Sequence, residues 1–409
     1  MSVPATPLGG DGRARARVPL SVADPPPRRS GLGFLLRSGS LDVRLPDGSP
    51  WLVRGAQPGP RAEVLLRRPG LLGRLMRGGS VALGEAYMDG WFDSPDLPTF
   101  LELMTVNVSS WLDTPAGRLR EPVAQAWDRI RTQQRGAVPS MRGHYDLGNE
   151  FYALWLDDSM AYSAGVFEDS DETLETAQAR KCRLLAEDAR VGRDQHVLEV
   201  GTGWGSFAVF LAAERGCRVT TYTISRDQAE FARRAALAAG VGDRVDVRLE
   251  DYREITGLFD AAVSVEMIES IDEQQWPGLL QTVARSLRPG GRFALQSITM
   301  SERHFANHRR HRDFVQAYIF PGGMVPAASV LRRLSAHAGF RWESDREIGS
   351  SYALTLAEWN RRFTAATDQV EALGFSQRFR RMWTYYLSYC EAGFRTRWIG
   401  DKQISLVRT

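Results

Sequence analysis

From about Asp188 the chain alternates short apolar segments with helical ones, and this constrains its fold more than any other feature. "HVLEVG" (196–201), "RVTTYTI" (218–224), "RVDVRLE" (244–250), "FDAAVSVE" (259–266) and "RFALQSI" (292–298) read as strands. Helical patterns fall between them, such as "SRDQAEFARRAALAAG" (225–240), with Ser225 as its N-cap. The alternation predicts an α/β fold with a mostly parallel, doubly wound sheet. In open sheets of this kind, ligands lie beyond the carboxyl ends of the strands. That rule gathers the glycine turn after "HVLEV", Glu250 and Asp251, Glu266 to Glu269, and Gln296 to Ile298 around one crevice.

The glycine turn narrows the ligand. Gly201, Gly203 and Gly205 let backbone approach a bound molecule closely, with a helix start behind them. A dinucleotide is disfavoured on two counts. Ser206 stands where G-x-G-x-x-G needs its third glycine, and the next strand ends in Thr223 and Ser225 rather than in a ribose-binding acid. The form acid-x-Gly-x-Gly-x-Gly, led by Glu199, resembles the S-adenosylmethionine loop of Rossmann-like methyltransferases.

Bulk properties exclude several classes. A net charge of +3 over 409 residues argues against nucleic acid as a partner. Three scattered cysteines, Cys182, Cys217 and Cys390, form no metal or disulfide pattern and suit a reducing compartment. No apolar run is long enough to span a bilayer, and the start has no signal-peptide pattern, so contact with lipid is expected from the surface. Residues 1–30 read as a disordered basic tail, and residues 31–125 as a small α+β domain. In that domain "SLDVRLPDGS" and "AEVLLRR" are strand-like, and "GLLGRLMRGGSVALGEAYMDGWF" is helical but broken at a Gly-Gly pair. A polar linker at 126–143 leads into the strand–helix domain at 144–409.

Motifs in order along the chain carry a resemblance. They are "GEAYMDGWF" (84–92), "HYDLGNEFYALWLDDSMAYSAGVFE" (144–168), the glycine turn, "YTISRDQAEFA" (222–232), "LEDYREITGLFDAAVSVEMIESI" (249–271), "YIFPGG" (318–323) and "YYLSYCEAGFRTRWIG" (385–400). The chain resembles the cyclopropane-fatty-acyl-phospholipid synthase family from about residue 30 to residue 408. The resemblance implies a Rossmann-like methyltransferase domain with acyl-chain-binding insertions, behind a smaller lipid-associated N-terminal domain. It implies S-adenosylmethionine as methyl donor, a cis double bond in a phospholipid acyl chain as acceptor, and a bound bicarbonate as base. The expected location is cytoplasmic, peripheral at the inner membrane face.

Carried over by position, Tyr162, Ser163, Gly201, Gly203, Gly205, Thr223 and Gln228 are expected at the cofactor, with Glu250 or Asp251 at the adenine amino group. Glu269, Tyr352 and the backbone of Ile298 match the bicarbonate site. Ala164 stands where the family has cysteine, and Gln296 where it has histidine.

The chemistry asks for little else. A sulfonium methyl is a strong electrophile, and adding it to an alkene requires alignment and exclusion of water. The resulting cation suits aromatic walls. Phe151, Tyr152, Trp155, Tyr162, Phe167, Tyr318, Phe320, Trp383, Tyr385, Tyr386 and Tyr389 are candidates, with core packing as the alternative for each.

Prompt proton loss from the new methyl closes a cyclopropane. Loss after a hydride shift gives an exocyclic methylene. "SVEMIES" and "LQSITM" resemble the branch of the family making 10-methylene and 10-methyl chains, so the 10-methylene product is expected, with the cyclopropane as the alternative. Saturation would need a separate reductase, because the chain has no nicotinamide fingerprint. The basic stretch "SERHFANHRRHRD" (301–313) reads as a solvated face or as a headgroup surface. Self-association is left open. The rivals are a non-catalytic lipid-binding protein and a methyltransferase for a small polar acceptor.

Overall fold

A computed structural model describes residues 28–29, 36–112 and 147–409. The basic tail before Arg28 and the 126–143 linker lie outside the described residues. So do residues 113–125 of the expected N-terminal domain and the first residues of the "HYDLGNEF" motif.

The N-terminal strands are β1 (Arg28–Arg29), β2 (Ser38–Arg44), β3 (Pro50–Arg54), β4 (Gln57–Leu66) and β5 (Phe92–Asp93), ordered β1-β3-β2-β4-β5 in one sheet. Between β4 and β5 runs α1 (Leu71–Met88). It kinks at Gly79, at φ 58° and ψ −144°, so the Gly-Gly pair interrupts the helix as its sequence suggests. Helix α2 (Leu97–Leu112) follows β5.

The larger sheet holds seven strands. They are β6 (His196–Val200), β7 (Arg218–Thr223), β8 (Val245–Leu249), β9 (Phe259–Val265), β10 (Leu287–Met300), β11 (Phe340–Glu347) and β12 (Ile399–Arg408). Their order is β11-β12-β10-β9-β6-β7-β8. β6 to β10 pair in parallel, whereas β12 runs antiparallel to both β10 and β11. The chain winds outward from β6 to β8, then returns to β9 on the other side. The winding therefore reverses between β6 and β9, where open α/β sheets bind ligands.

The five expected strands are all present. β11 and β12 were not anticipated: β11 is a largely exposed edge with little alternation, and β12 mixes Asp401, Lys402 and Gln403 into its apolar pattern.

The remaining helices are α3 (Asn149–Ala153), α4 (Leu174–Asp188), α5 (Ser206–Phe210), α6 (Arg226–Ala238), α7 (Trp276–Ser286), α8 (Glu302–His308), α9 (Phe314–Tyr318), α10 (Ala328–His337), α11 (Gly349–Ala365), α12 (Thr367–Ala372) and α13 (Gln377–Arg395). Ser225 caps α6, its side chain accepting from the Gln228 N–H.

One apolar core runs from the small sheet through α1 and α2 into α3, α11 and α13. Arg381 on α13 locks that junction. Its guanidinium donates to the Tyr87 and Phe92 carbonyls, pairs with Asp93 at 2.8 Å, and lies 4.0 Å from the centre of the Tyr87 ring. No helix among the described residues is long and apolar enough to cross a membrane.

Candidate active site

The three glycines take φ angles of 95°, 51° and 88°, left-handed backbone that suits glycine. Two have separate reasons to lack a side chain. A Cβ on Gly205 would fall 2.7 Å from the Ala232 Cβ, because α6 packs directly on the turn. A Cβ on Gly203 would meet nothing within 4 Å, so the space above it is open, beside the reversal of the sheet. The Gly201 and Thr202 N–H groups donate to the Tyr222 carbonyl at 3.2 and 3.1 Å, pinning the turn to β7. This open backbone cradle fits a nucleoside-bearing ligand.

The other expected cofactor residues surround the turn with varied commitments. The Thr223 hydroxyl donates to Gln228 Oε1 at 2.9 Å, and both residues are buried. Asp251 caps the 252–254 turn and accepts from the Arg253 backbone and guanidinium, which hold its carboxyl below the usual range. Glu250 is half-buried, with Arg248 at 3.8 Å, and is the acid not spent on a cap. Glu199 lies inside β6, where burial pushes its carboxyl up to about 8.

Ser163 is held by a bracket that sequence reasoning missed. Lys181 Nζ donates to Ser163 Oγ (2.8 Å) and to Gln178 Oε1 (2.5 Å), while Gln178 Nε2 donates to the Ser163 carbonyl (2.8 Å). Gln178 and Lys181 sit three apart on α4 and both are buried. That spacing on a helix with an apolar face was the available signal. The Tyr162 hydroxyl shares a hydrogen bond with that of Tyr386 at 2.9 Å.

Aromatic rings join the cradle to the far wall. Trp204 Nε1 donates to Asn149 Oδ1 at 2.7 Å, and its ring lies 4.7 Å from Tyr152. Tyr162 lies 5.4 Å from both Trp155 and Trp359, and Trp383 lies 5.0 Å from Phe151. All eleven candidate aromatics belong to this one core or pack against it. Phe151, Tyr152, Trp155, Trp383 and Tyr385 are wholly enclosed, as packing residues would be, whereas Tyr162, Phe167 and Phe320 are only partly covered.

At the carboxyl end of β9 the geometry departs from expectation. Tyr352 does not meet Glu269. Its hydroxyl donates to Glu266 Oε2 at 2.7 Å. Glu266 Oε1 accepts from the Ala164 N–H at 2.9 Å and from Gln296 Nε2 at 2.8 Å. Glu269 sits apart, with Oε1 accepting from Ser297 Oγ (2.7 Å) and the Ile298 N–H (2.5 Å), and with Oε2 sealed from solvent and unpartnered. Burial, reinforced by the Glu266 charge, pushes the Glu269 carboxyl up to about 8. Asp401 on β12 is buried beside them, and burial with both glutamates raises it well above the usual carboxylate range.

The residues present therefore do not fit the expected bicarbonate. The groups meant to hold it at Ala164, Gln296, Tyr352 and Ile298 are already bonded to carboxylates of the chain. Glu266 had been placed at the crevice without a role. Its position three residues before Glu269, at a strand end, was the available signal.

The basic segment 301–313 is largely committed to local contacts. Arg309 pairs with Glu273, Arg312 donates to the Gln316 carbonyl, His304 stacks on Trp398 at 3.4 Å, and His308 is buried near Asp313.

The mycolic acid cyclopropane synthetase family matches residues 132–404. Tuberculostearic acid methyltransferase UfaA1 of Mycobacterium tuberculosis is 37% identical over 364 residues, covering 85% of this chain and 84% of that protein. Cyclopropane-fatty-acyl-phospholipid synthase of Escherichia coli K12 is 31% identical over 351 residues, covering 84% and 87%. Among solved structures, cyclopropane synthase MmaA2 from Mycobacterium tuberculosis superposes with a TM-score of 0.62 at 25% identity, covering 67% of this chain and all of that one.

Proposed function

Because the chain belongs to the mycolic acid cyclopropane synthetase family, we propose that it methylates the cis double bond of an oleoyl phospholipid, leaving a 10-methylene acyl chain. The observation that carries this reading is the open backbone over Gly203, joined by a run of ring contacts from Trp204 through Tyr152, Tyr162 and Trp359 to Tyr352, whose hydroxyl ends on the carboxyl cluster. A relative named for tuberculostearic acid and another named for cyclopropane fatty-acyl phospholipids support the substrate class.

S-adenosylmethionine, when bound, supplies an electrophilic methyl group to the alkene. The backbone at Gly201, Gly203 and Gly205 cradles the nucleoside, with Thr223, Gln228 and Glu250 around it. Ser163, fixed by Gln178 and Lys181, and Tyr162, hydrogen-bonded to Tyr386, close over it and exclude water. Tyr162, Phe320 and Tyr386 face the acyl cation with ring surfaces, which stabilise positive charge without trapping it. Glu269, its carboxyl pushed up by burial, accepts from Ser297 and from the Ile298 N–H and so positions the end of β10.

The N-terminal unit within 31–125, sharing a core with α13, is proposed to steady the acyl-binding helices. Arg309, Arg310 and Arg312 stay exposed beside those local contacts and are the proposed contact with anionic headgroups at the inner, cytoplasmic membrane face. A separate reductase would complete a methyl branch.

Mass spectrometry tests this reading. Vesicles of oleoyl phosphatidylglycerol incubated with the protein and S-adenosylmethionine should gain one carbon and two hydrogens per modified chain. Unchanged lipid, despite tight binding of S-adenosylmethionine, would favour the non-catalytic lipid-binding rival.

A further inference from the structure

We infer that Glu266 is a resident proton acceptor, a carboxylate of the chain that occupies the position where related enzymes would hold a free bicarbonate. The inference deepens the lipid-methylation reading and rests on it for the identity of the proton donor.

The donors define the position. The Ala164 N–H, Gln296 Nε2 and the Tyr352 hydroxyl come from three segments far apart in the chain, and all three end on the Glu266 carboxylate. Two of those positions, 164 and 296, are the ones at which this chain departs from the cysteine and histidine of the family it resembles. The departures and the added carboxylate explain each other. Alanine offers only its backbone N–H, and glutamine offers a neutral donor, which is what an attached anion requires.

The backbone agrees. Glu266 sits at φ 48°, left-handed for a residue with a side chain. Such a conformation costs on the order of 1–3 kcal/mol and persists where the surroundings demand it. Its N–H donates to the Gln296 carbonyl at 2.9 Å, which holds the strained turn against β10.

Charge distribution selects Glu266 among its neighbours. Three carboxyl groups crowded at low dielectric cannot all ionise. Glu269 and Asp401 are pushed up by burial, each with an oxygen that has no partner. Glu266 alone of the three has both oxygens hydrogen-bonded by side-chain or backbone donors, so the donors of the site converge on it.

The step balances. Addition of the methyl breaks its bond to sulfur, forms a carbon–carbon bond and leaves a cation on the neighbouring carbon. A hydride shift moves the vacancy to the methyl-bearing carbon. The Glu266 carboxylate then takes a proton from the methyl group, and that C–H electron pair becomes the second bond of the methylene. Glu266 ends neutral and later returns its proton to water. The hydrogen bonds on both oxygens also lower their nucleophilicity, which disfavours ester formation with the cation.

The test compares the wild type with Glu266→Gln and Glu266→Gly in carbon-dioxide-stripped buffer, with and without bicarbonate at matched ionic strength and pH. Glycine tolerates the local backbone, so Glu266→Gly should fold. Wild-type turnover should not respond to bicarbonate. Glu266→Gln should lose ~10²-fold or more in turnover while keeping its affinity for S-adenosylmethionine. Glu266→Gly should lose a similar factor and recover about tenfold or more as bicarbonate enters the vacated position. Bicarbonate should also raise the melting temperature of Glu266→Gly and leave that of the wild type unchanged. A wild type whose turnover or melting point depends on bicarbonate would overturn the inference, as would near-normal turnover in Glu266→Gln. The melting comparison needs no turnover. It decides whether the Glu266 carboxylate holds that anion position even if no lipid is methylated, a result that would count against the lipid reading alone.

Discussion

The glycine cradle and the carboxyl pocket lie at the ends of adjacent strands, β6 and β9, yet they are built in opposite ways. The cradle comes from one continuous segment, residues 196–210, and its ligand space is defined by what backbone leaves open. The pocket is drawn together from residues 164, 266, 296, 352 and 401, and it is defined by which donor finds which acceptor. The first kind of site can be read locally. The second depends on tertiary packing.

The largest expected effect separates packing from binding within the cradle. Gly205→Val puts a side chain against Ala232 at a positive φ and should cost ~2–5 kcal/mol of stability in urea unfolding, combining strain with overpacking. A stability close to wild type would mean that α6 is not seated on the turn. Gly203→Val, two residues away, faces open space. It carries the strain of a positive φ without the overpacking, so it should cost less stability than Gly205→Val, ~1–3 kcal/mol, and weaken S-adenosylmethionine binding by about tenfold or more, ~1.4 kcal/mol by calorimetry. Equal affinity in a folded variant would remove the nucleoside from this turn.

The carboxyl pocket is tested by contrast between its two glutamates. Glu269→Gln preserves the acceptor for Ser297 and Ile298, so turnover should fall by no more than about tenfold. A loss as deep as that of Glu266→Gln would make Glu269 the proton acceptor and reverse the two assignments.

A further contrast is stability against pH. Glu199 and Glu269 have folded-state pKa values of about 8, above the ordinary 4.5. The folded protein therefore keeps protons that the unfolded chain releases. That contribution is fully present below about 4.5 and is lost as pH rises toward about 8. Melting temperature should fall with rising pH across this window, and Glu269→Gln should flatten the slope in differential scanning calorimetry. An unchanged slope would mean that Glu269 is not held neutral.

These contrasts mirror what the sequence made legible. Strand–helix alternation, the Ser225 cap, the Gly-Gly kink and the glycine turn are short-range patterns, and each appears in the structure as expected. β12 escaped because its apolar alternation is interrupted by Asp401, Lys402 and Gln403. Asp401 and Gln403 are nevertheless buried, with Gln403 Nε2 donating to Gln296 Oε1. With β12 unseen, Asp401 had no address in the site. Tyr352 donates to Glu266 rather than meeting Glu269, a pairing the sequence does not reveal because two acids three residues apart compete for one hydroxyl. The left-handed turn at Glu266 decides that competition.

The central claim is that this chain methylates a lipid double bond and releases the proton late. Proton NMR of the isolated product tests this most directly, using oleoyl phosphatidylglycerol and S-adenosylmethionine with a deuterated methyl. Cyclopropane and methylene products both keep two of the three methyl deuteriums, so mass does not separate them. A parallel reaction with unlabelled cofactor therefore supplies the diagnostic protons. Vinylidene signals without high-field cyclopropyl signals are the predicted result. Cyclopropyl signals without vinylidene would contradict it and make the chain a ring-forming enzyme.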